Sequence, residues 1–347
     1  MHMELNNYST LREFIIAHNK KQSELFCSGE NKAHRILYRA EHPTELLALK
    51  CMDGRLNLPL CTETPPGIIQ PIRNLGGKFN LGWPYLNDIL FEWTNYAVSK
   101  GRRGIMLVTY HYSQSNPHFG CAGFGYDTEA AKAHTSDLVK TLNGVVGNGI
   151  VVPLQVGIET DEDSLIFHRN GAQVEVSKYS DISKLIGDAR MLFEDLPSFN
   201  DLIPLIEGNW HHVQEIRKNP RNTQELQHAE SILCIGRGFD WLHLPNSAFI
   251  VGPYQFDMSE PVLKAGKLLL DNLKSGRVDQ KKGILVMTSA PFRDPSGGFE
   301  RNYKKEKSKE LLAYAKDLIE KNIPELYGVC DFIAGVTNMN TREYEIL

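Results

Sequence analysis

The sequence predicts an α/β fold made of two similar halves, each a mainly parallel sheet flanked by helices, the halves packing as a pseudo-dimer. Three observations lead there. Short apolar runs alternate with helical segments of about 15 residues, the pattern of βαβ units around a sheet covered on both faces. The same order of elements occurs twice along the chain. The spacing between matching elements falls only from 183 to 178 residues across the repeat.

Ahead of the first strand, Thr10-Leu11-Arg12-Glu13-Phe14-Ile15-Ile16 reads as a helix. The apolar run Leu46-Leu47-Ala48-Leu49, with Cys51 near its end, opens the first half and matches Ile232-Leu233-Cys234 in the second. Gly67-Ile68-Ile69 and Ala248-Phe249-Ile250-Val251-Gly252 follow as short strands, and residues 85–93 and 262–270 carry apolar side chains at helical spacing. The runs beginning at Gly104 and Gly283 form a further strand in each half, followed by a polar loop and a long helix. Residues 154–160 and 332–338 close the halves, with Gly157 matching Gly335. The implied division is an N-terminal helical arm over 1–40, a catalytic domain over 41–175, a helical linker over 176–225 and a degenerate second domain over 226–347.

Composition narrows the function. Lys and Arg number 38 against 42 acidic residues, which leaves no electrostatic footprint for nucleic acid or an anionic membrane. No run of about 18 apolar residues occurs. The start Met1-His2-Met3-Glu4-Leu5-Asn6-Asn7 lacks the basic-then-apolar order of a signal peptide, so a soluble, cytoplasmic chain is expected. The six cysteines, at 27, 51, 61, 121, 234 and 330, lack the dense spacing of a disulfide scaffold. Cys27, Cys61 and Cys330 have no ligand-like neighbours and read as small buried or half-buried residues.

Two segments carry chemistry. In Cys51-Met52-Asp53-Gly54-Arg55 a thiolate and a carboxylate-guanidinium pair follow an apolar strand, and alternation along an extended chain would put 51, 53 and 55 on one side. The segment from Thr109 to Cys121 offers His111, His118 and a second thiolate. Zinc takes Cys sulfur and His nitrogen in tetrahedral sites, and catalytic sites keep three protein ligands and one open position. Two cysteines and one histidine meet that count. His118-Phe119-Gly120-Cys121 favours His118 by spacing, while His111 has the place at the strand end. In the second half Gly236 stands at the place of Asp53, Ala290 at that of His111, and Ser296 or Gly297 at that of Cys121, so one zinc per chain is expected. Cys234 then reads as core.

The Cys-x-Asp-x-Arg run, a strand-end histidine and a later cysteine resemble the β-class carbonic anhydrases, as does Ile72-Arg73-Asn74-Leu75-Gly76-Gly77. The likeness is nearer to the carboxysome shell carbonic anhydrase branch. It rests on Cys51-Met52-Asp53-Gly54-Arg55, on Thr109-Tyr110-His111-Tyr112-Ser113 through Gly120-Cys121-Ala122, and on Val156-Gly157-Ile158-Glu159-Thr160-Asp161. That branch carries a second, degenerate half without metal.

The resemblance implies a β-carbonic-anhydrase-like fold and zinc-dependent, reversible hydration of carbon dioxide to bicarbonate and a proton. It implies Cys51, His111 and Cys121 as zinc ligands, His111 being preferred over His118 because the branch has a longer insert between histidine and cysteine. Zinc-bound hydroxide would attack carbon dioxide while Asp53, held ionised by Arg55, orients it. Imidazoles in general titrate near neutral pH, which makes His118, His168, His211 and His212 the candidates for passing on the proton, with none singled out. A zinc lyase or hydrolase acting on carbonyl sulfide or carbon disulfide is the alternative chemistry. A non-catalytic zinc-binding assembly protein is the alternative outside enzymes, and the three-ligand count with an Asp-Arg neighbour speaks against it. The family's substantial N-terminal helical domain has only residues 1–40 as its counterpart here, which leaves association with a carboxysome shell, and a place within a carboxysome, open. A homo-oligomer of pseudo-dimers is compatible with the fold.

Overall fold

The computed structural model of the protein describes residues 7–146, 149–293 and 298–347. In chain order, helices α1 (Leu11–Cys27) and α2 (Gly29–Glu41) precede β1 (Thr44–Cys51), β2 (Ile69–Asn74), α3 (Pro84–Ser99), β3 (Arg103–Tyr112), α4 (Thr128–Val146), β4 (Val151–Glu159), β5 (Ser164–Arg169) and β6 (Ala172–Glu175). Then come α5 (Ile182–Leu192), α6 (Ile203–Lys218), β7 (Ile232–Gly236), β8 (Ala248–Val251), α7 (Ser259–Lys274), β9 (Ile284–Phe292), α8 (Phe299–Asn322), β10 (Cys330–Asn338) and β11 (Tyr344–Ile346). Two compact units result. One comprises residues 33–52 and 56–227; the other comprises the residues up to Lys32, Asp53–Arg55 and His228–Leu347.

In the first unit the strands lie in the order β2-β1-β3-β4-β5-β6. The first four are parallel, and β5 and β6 add an antiparallel hairpin that the sequence pattern did not reveal. Every residue of β1 is buried, as a strand covered on both faces requires. The chain runs from β1 outward to β2 and then returns to the other side of β1 as β3. The C-terminal ends of β1 and β3 therefore flank a topological switch point, the crevice where open α/β sheets place their sites.

The second unit orders its strands β8-β7-β9-β10-β11. Its four parallel strands repeat the arrangement β2-β1-β3-β4, and β11 pairs antiparallel to β10 as β5 pairs to β4. The duplication expected from sequence is thus a duplication of topology. Helix α1 starts with a capping box, Thr10 Oγ1 accepting from Glu13 N at 3.1 Å while Glu13 Oε2 accepts from Thr10 N at 3.3 Å. Its apolar face, Leu11, Phe14 and Ile15, packs on Ile232, Cys234, Leu285, Met287 and Trp241.

Register corrects the match between the halves. Leu49 pairs with Val108, and Cys234 pairs with Met287. Val108 and Met287 each stand four residues after the matching glycines Gly104 and Gly283. Cys234 therefore takes the place of Leu49, and Gly236 takes that of Cys51. The two apolar runs match equally well at either register, because strands buried on both faces read as unbroken apolar runs with no alternation to fix the match.

A buried polar knot closes the turn between β4 and β5. Asn209 on α6 accepts from Leu165 N at 2.8 Å and donates to the carbonyls of Asp163 and Cys61. The Asp163 carboxylate meets His212 Nε2 at 3.1 Å and accepts from Arg221 Nη1 at 2.9 Å. Burial would raise the Asp163 carboxyl, but its bonds to His212 and Arg221 outweigh that and hold it below its ordinary value. The folded chain thus keeps Asp163 ionised where the unfolded chain would already take up a proton. The stability so contributed is complete above the ordinary aspartate value of about 4 and is lost as pH falls through the lower folded value. Asp163→Asn should cost about 2 kcal/mol at neutral pH, since it leaves Arg221 without its anion. It should also flatten the acid limb of stability against pH, measured by urea unfolding at pH 3 to 7; an unchanged limb would refute this account.

Candidate metal centre

Three donors converge in the first unit. Cys51 ends β1, His111 is the penultimate residue of β3, and Cys121 follows the loop after β3. All three are buried, and their ligand atoms lie within 4.8 Å of one another. Parallel pairing of β1 with β3 brings the first two together, and Thr109 Oγ1 fastens the strands by donating to Leu49 O at 3.1 Å.

The loop that carries Cys121 is fixed at the end of β4. Ser113 Oγ donates to Asp161 Oδ1 at 2.6 Å, Ser115 N to Asp161 Oδ2 at 2.7 Å and Gln114 N to Glu159 Oε1 at 3.2 Å. Burial pushes the Glu159 carboxyl up to about 7, against the backbone N–H groups of Glu162, Asp161 and Gln114 that favour its charged form. Downstream, Cys121 O accepts from Tyr126 N at 2.9 Å, which seats the cysteine at the start of a 3₁₀ turn over Ala122–Phe124.

His118 lies elsewhere. It is exposed in the turn Pro117–Phe119, its ring edge-on to Tyr126 at 5.2 Å, and it is not part of the convergent trio. His168 meets the Tyr110 hydroxyl at 2.9 Å, and burial pushes its imidazole down to about 4. His212 is tied to Asp163, and His211 is exposed beside Trp210.

The extended run expected from Cys51 to Arg55 stops at Cys51. Beyond it the chain turns, because Asp53 Oδ1 accepts from Arg55 N at 2.9 Å and so competes with the strand ladder. The side chains add a fork, Arg55 Nε to Asp53 Oδ1 at 3.0 Å and Nη2 to Oδ2 at 2.6 Å. The pair is buried, its side chains 6% and 4% exposed, so it is no surface ion pair. Within the same unit His228 and Glu230 join it: Arg55 Nη2 donates to His228 Nε2 at 3.2 Å, and His228 Nδ1 reaches Glu230 Oε2 at 3.0 Å.

Asp53, His228 and Glu230 also form a compact group of ligand types. The Arg55 guanidinium donates to two of the three and supplies the positive charge there, so this group is a hydrogen-bonded chain rather than a cation cage. His228 and Glu230 escaped the sequence reading. A histidine and a glutamate just before an apolar strand are ordinary residues, and only their partner 173 residues away distinguishes His228.

The donor chemistry of the other trio suits zinc: two sulfurs, one imidazole nitrogen and no fourth protein ligand in the group. Burial pushes the Cys51 thiol well above its ordinary value, Cys121 adds to the rise, and His111 opposes it. A bound dication would reverse that balance and hold both sulfurs as thiolates. The matching edge of the second unit is closed to such a site. At Gly236 the backbone has φ 122° and a Cβ would fall 2.0 Å from Ser289 O, so no cysteine fits there. Ala290 stands at the place of His111, opposite Val336 as His111 is opposite Ile158. Ser296 and Gly297, expected at the place of Cys121, lie outside the described residues.

Comparison with known proteins finds relatives of one description. Residues 92–195 match the family described as carboxysome shell carbonic anhydrase, catalytic domain. That span includes His111 and Cys121, whereas Cys51, Asp53 and Arg55 precede it. A carboxysome shell carbonic anhydrase from Prochlorococcus marinus subsp. pastoris is 26% identical over 274 residues, covering 69% of this chain and 50% of the relative. One from Hydrogenovibrio crunogenus is 24% identical over 239 residues, covering 57% and 45%. A further Prochlorococcus marinus protein of the same description is 22% identical over 265 residues, covering 65% and 51%. The chain spans about half the length of the curated relatives it matches. It is related to the carboxysome shell carbonic anhydrases.

If the trio is the metal site, Cys51→Ser, Cys121→Ser and His111→Ala should each lower zinc affinity more than 10-fold, whereas His118→Ala should leave it unchanged. Competition with a chromophoric chelator reads this directly. Loss of metal in His118→Ala alone would move the histidine assignment.

Proposed function

We propose that this relative of the carboxysome shell carbonic anhydrases is a zinc enzyme that reversibly hydrates carbon dioxide to bicarbonate and a proton. The observation that carries the proposal is the buried convergence of Cys51, His111 and Cys121 at the switch point of a parallel sheet, with Asp53 and Arg55 next along the chain. A purely structural zinc site takes four protein ligands, and this group offers three.

Cys51, His111 and Cys121 would hold the ion. Zinc in such a site supplies Lewis acidity that brings the pKa of a water into the neutral range, to roughly 7 in the three-histidine carbonic anhydrase taken as the reference case. The chain's own residues do the rest. Two thiolates donate more negative charge than two imidazoles, so an acceptor is needed to favour deprotonation of the nucleophile. Asp53 takes that role, two residues after Cys51. Arg55 keeps Asp53 ionised through the two-pronged contact and points one carboxylate edge in a fixed direction, which limits Asp53 to accepting.

Stopped-flow hydration of carbon dioxide by the zinc-loaded chain tests the proposal. One zinc per chain should support turnover that a chelator abolishes and added zinc restores. Asp53→Asn should lower kcat on the order of 100-fold while zinc content holds. A rate no greater than buffer with the metal in place would sink the proposal.

A further inference from the structure

We propose that Glu230 is a positioning residue for the Asp53–Arg55 turn, acting by fixing the tautomer of His228; the inference rests on the reading of Asp53 and Arg55 given above. The Glu230 side chain is fully buried and its two oxygens are spoken for. Oε1 accepts from Gly54 N at 3.2 Å and lies 3.1 Å from His228 Nδ1, and Oε2 lies 3.0 Å from the same nitrogen. On the far side of the ring, His228 Nε2 faces Arg55 Nη2 at 3.2 Å. A guanidinium can only donate, so Nε2 must accept. The ring proton then belongs on Nδ1, where the Glu230 carboxylate receives it. His228 is neutral in this arrangement, and its nearer approach to Asp53, 3.9 Å from Nε2, is not an ion pair.

Glu230 thereby holds the turn twice. Through His228 it orients the guanidinium that grips Asp53, and through Gly54 N it anchors the backbone between the two residues. The backbone has no other easy position: Gly54 O accepts from Asn246 N at 2.8 Å, and a Cβ at Gly54 would lie 2.7 Å from Ala248 O and 3.0 Å from Glu230 Cγ. Glu230 itself is fixed at its carbonyl, which accepts from Asn272 Nδ2 at 2.9 Å. The turn Asp53–Arg55 is therefore held from 176 positions downstream as well as by its own Asp53 side chain.

Glu230→Gln separates these roles. The amide oxygen can keep the Gly54 N–H, which puts the amide NH₂ in the place of Oε2, the oxygen nearest Nδ1; its N–H groups oppose the Nδ1 proton and favour the Nε2–H tautomer, which in turn opposes the Arg55 donor. Two readouts on the zinc-loaded full chain test this. Long-range ¹⁵N–¹H spectra of ¹⁵N-histidine protein, with His228 assigned by its loss in His228→Gln, should show the Nδ1–H tautomer in the unaltered chain and its loss in Glu230→Gln. Hydration of carbon dioxide by Glu230→Gln should show kcat reduced between 10- and 100-fold at unchanged zinc content, with KM moved far less. An Nε2–H tautomer in the unaltered chain overturns the proposal whether or not any variant folds. So does a Glu230→Gln enzyme within twofold of the original kcat. If the unaltered chain does not hydrate carbon dioxide, the functional reading fails while the tautomer still decides the geometry of His228 and Glu230.

Discussion

Parallel pairing of β1 with β3 is the constraint on which the candidate centre depends. Two adjacent parallel strands end on the same edge of a sheet, and the reversal of strand order between β2, β1 and β3 leaves a crevice at that edge. Cys51 ends β1 and His111 is the next-to-last residue of β3, so a pairing made far apart in sequence fixes two of three donors before any loop is considered. The third needs more support. Cys121 sits in irregular chain, and the carboxylates of Glu159 and Asp161 hold its loop at the next strand end. The segment Val156 to Asp161, conspicuous in the sequence without holding any ligand, thus acts as a brace.

Burial and the neighbouring sulfur both raise the Cys51 thiol, so the metal-free cluster favours protonated sulfur. Binding of the proposed zinc would displace those protons, so its affinity would rise with pH over the range in which the thiols titrate. The Asp53–Arg55 pair solves a different electrostatic problem. An aspartate buried alone would take up a proton, whereas one gripped by a fork of guanidinium N–H groups and by its neighbour's backbone N–H remains an acceptor.

Much of this was legible from residue types. An apolar run ending in cysteine, a second apolar run ending in histidine and a later cysteine specify soft donors at strand ends, and the order of elements specified the duplicated α/β sheet. The hairpin β5–β6 was not legible, because the short run 164–169 gives no sign of antiparallel pairing. The register of the repeat was not legible either, since Ile232-Leu233-Cys234 resembles Leu47-Ala48-Leu49 as well as it resembles a segment ending at Cys51. The turn at Asp53 defeated the alternation argument because an aspartate can bond its own downstream backbone. His228 and Glu230 carried no local signal at all; their meaning lies in a contact across more than half the chain.

The duplication then has an asymmetric logic. Both sheets present an edge of the same topology, and among the described residues only the first edge carries a convergent Cys-His-Cys trio. The second edge has not simply lost a cysteine: at Gly236 the backbone approaches Ser289 O so closely that any side chain would require the strands to part. Restoring a thiol there by substitution would break the sheet before it built a ligand. The second half instead contributes from just before its first strand, where His228 and Glu230 take hold of the turn that follows Cys51. Glu230 and His228 thereby fix the Asp53–Arg55 turn within their own unit. The two units are alike in topology, and the contacts that fix the Asp53–Arg55 turn come from residues of the second half of the chain.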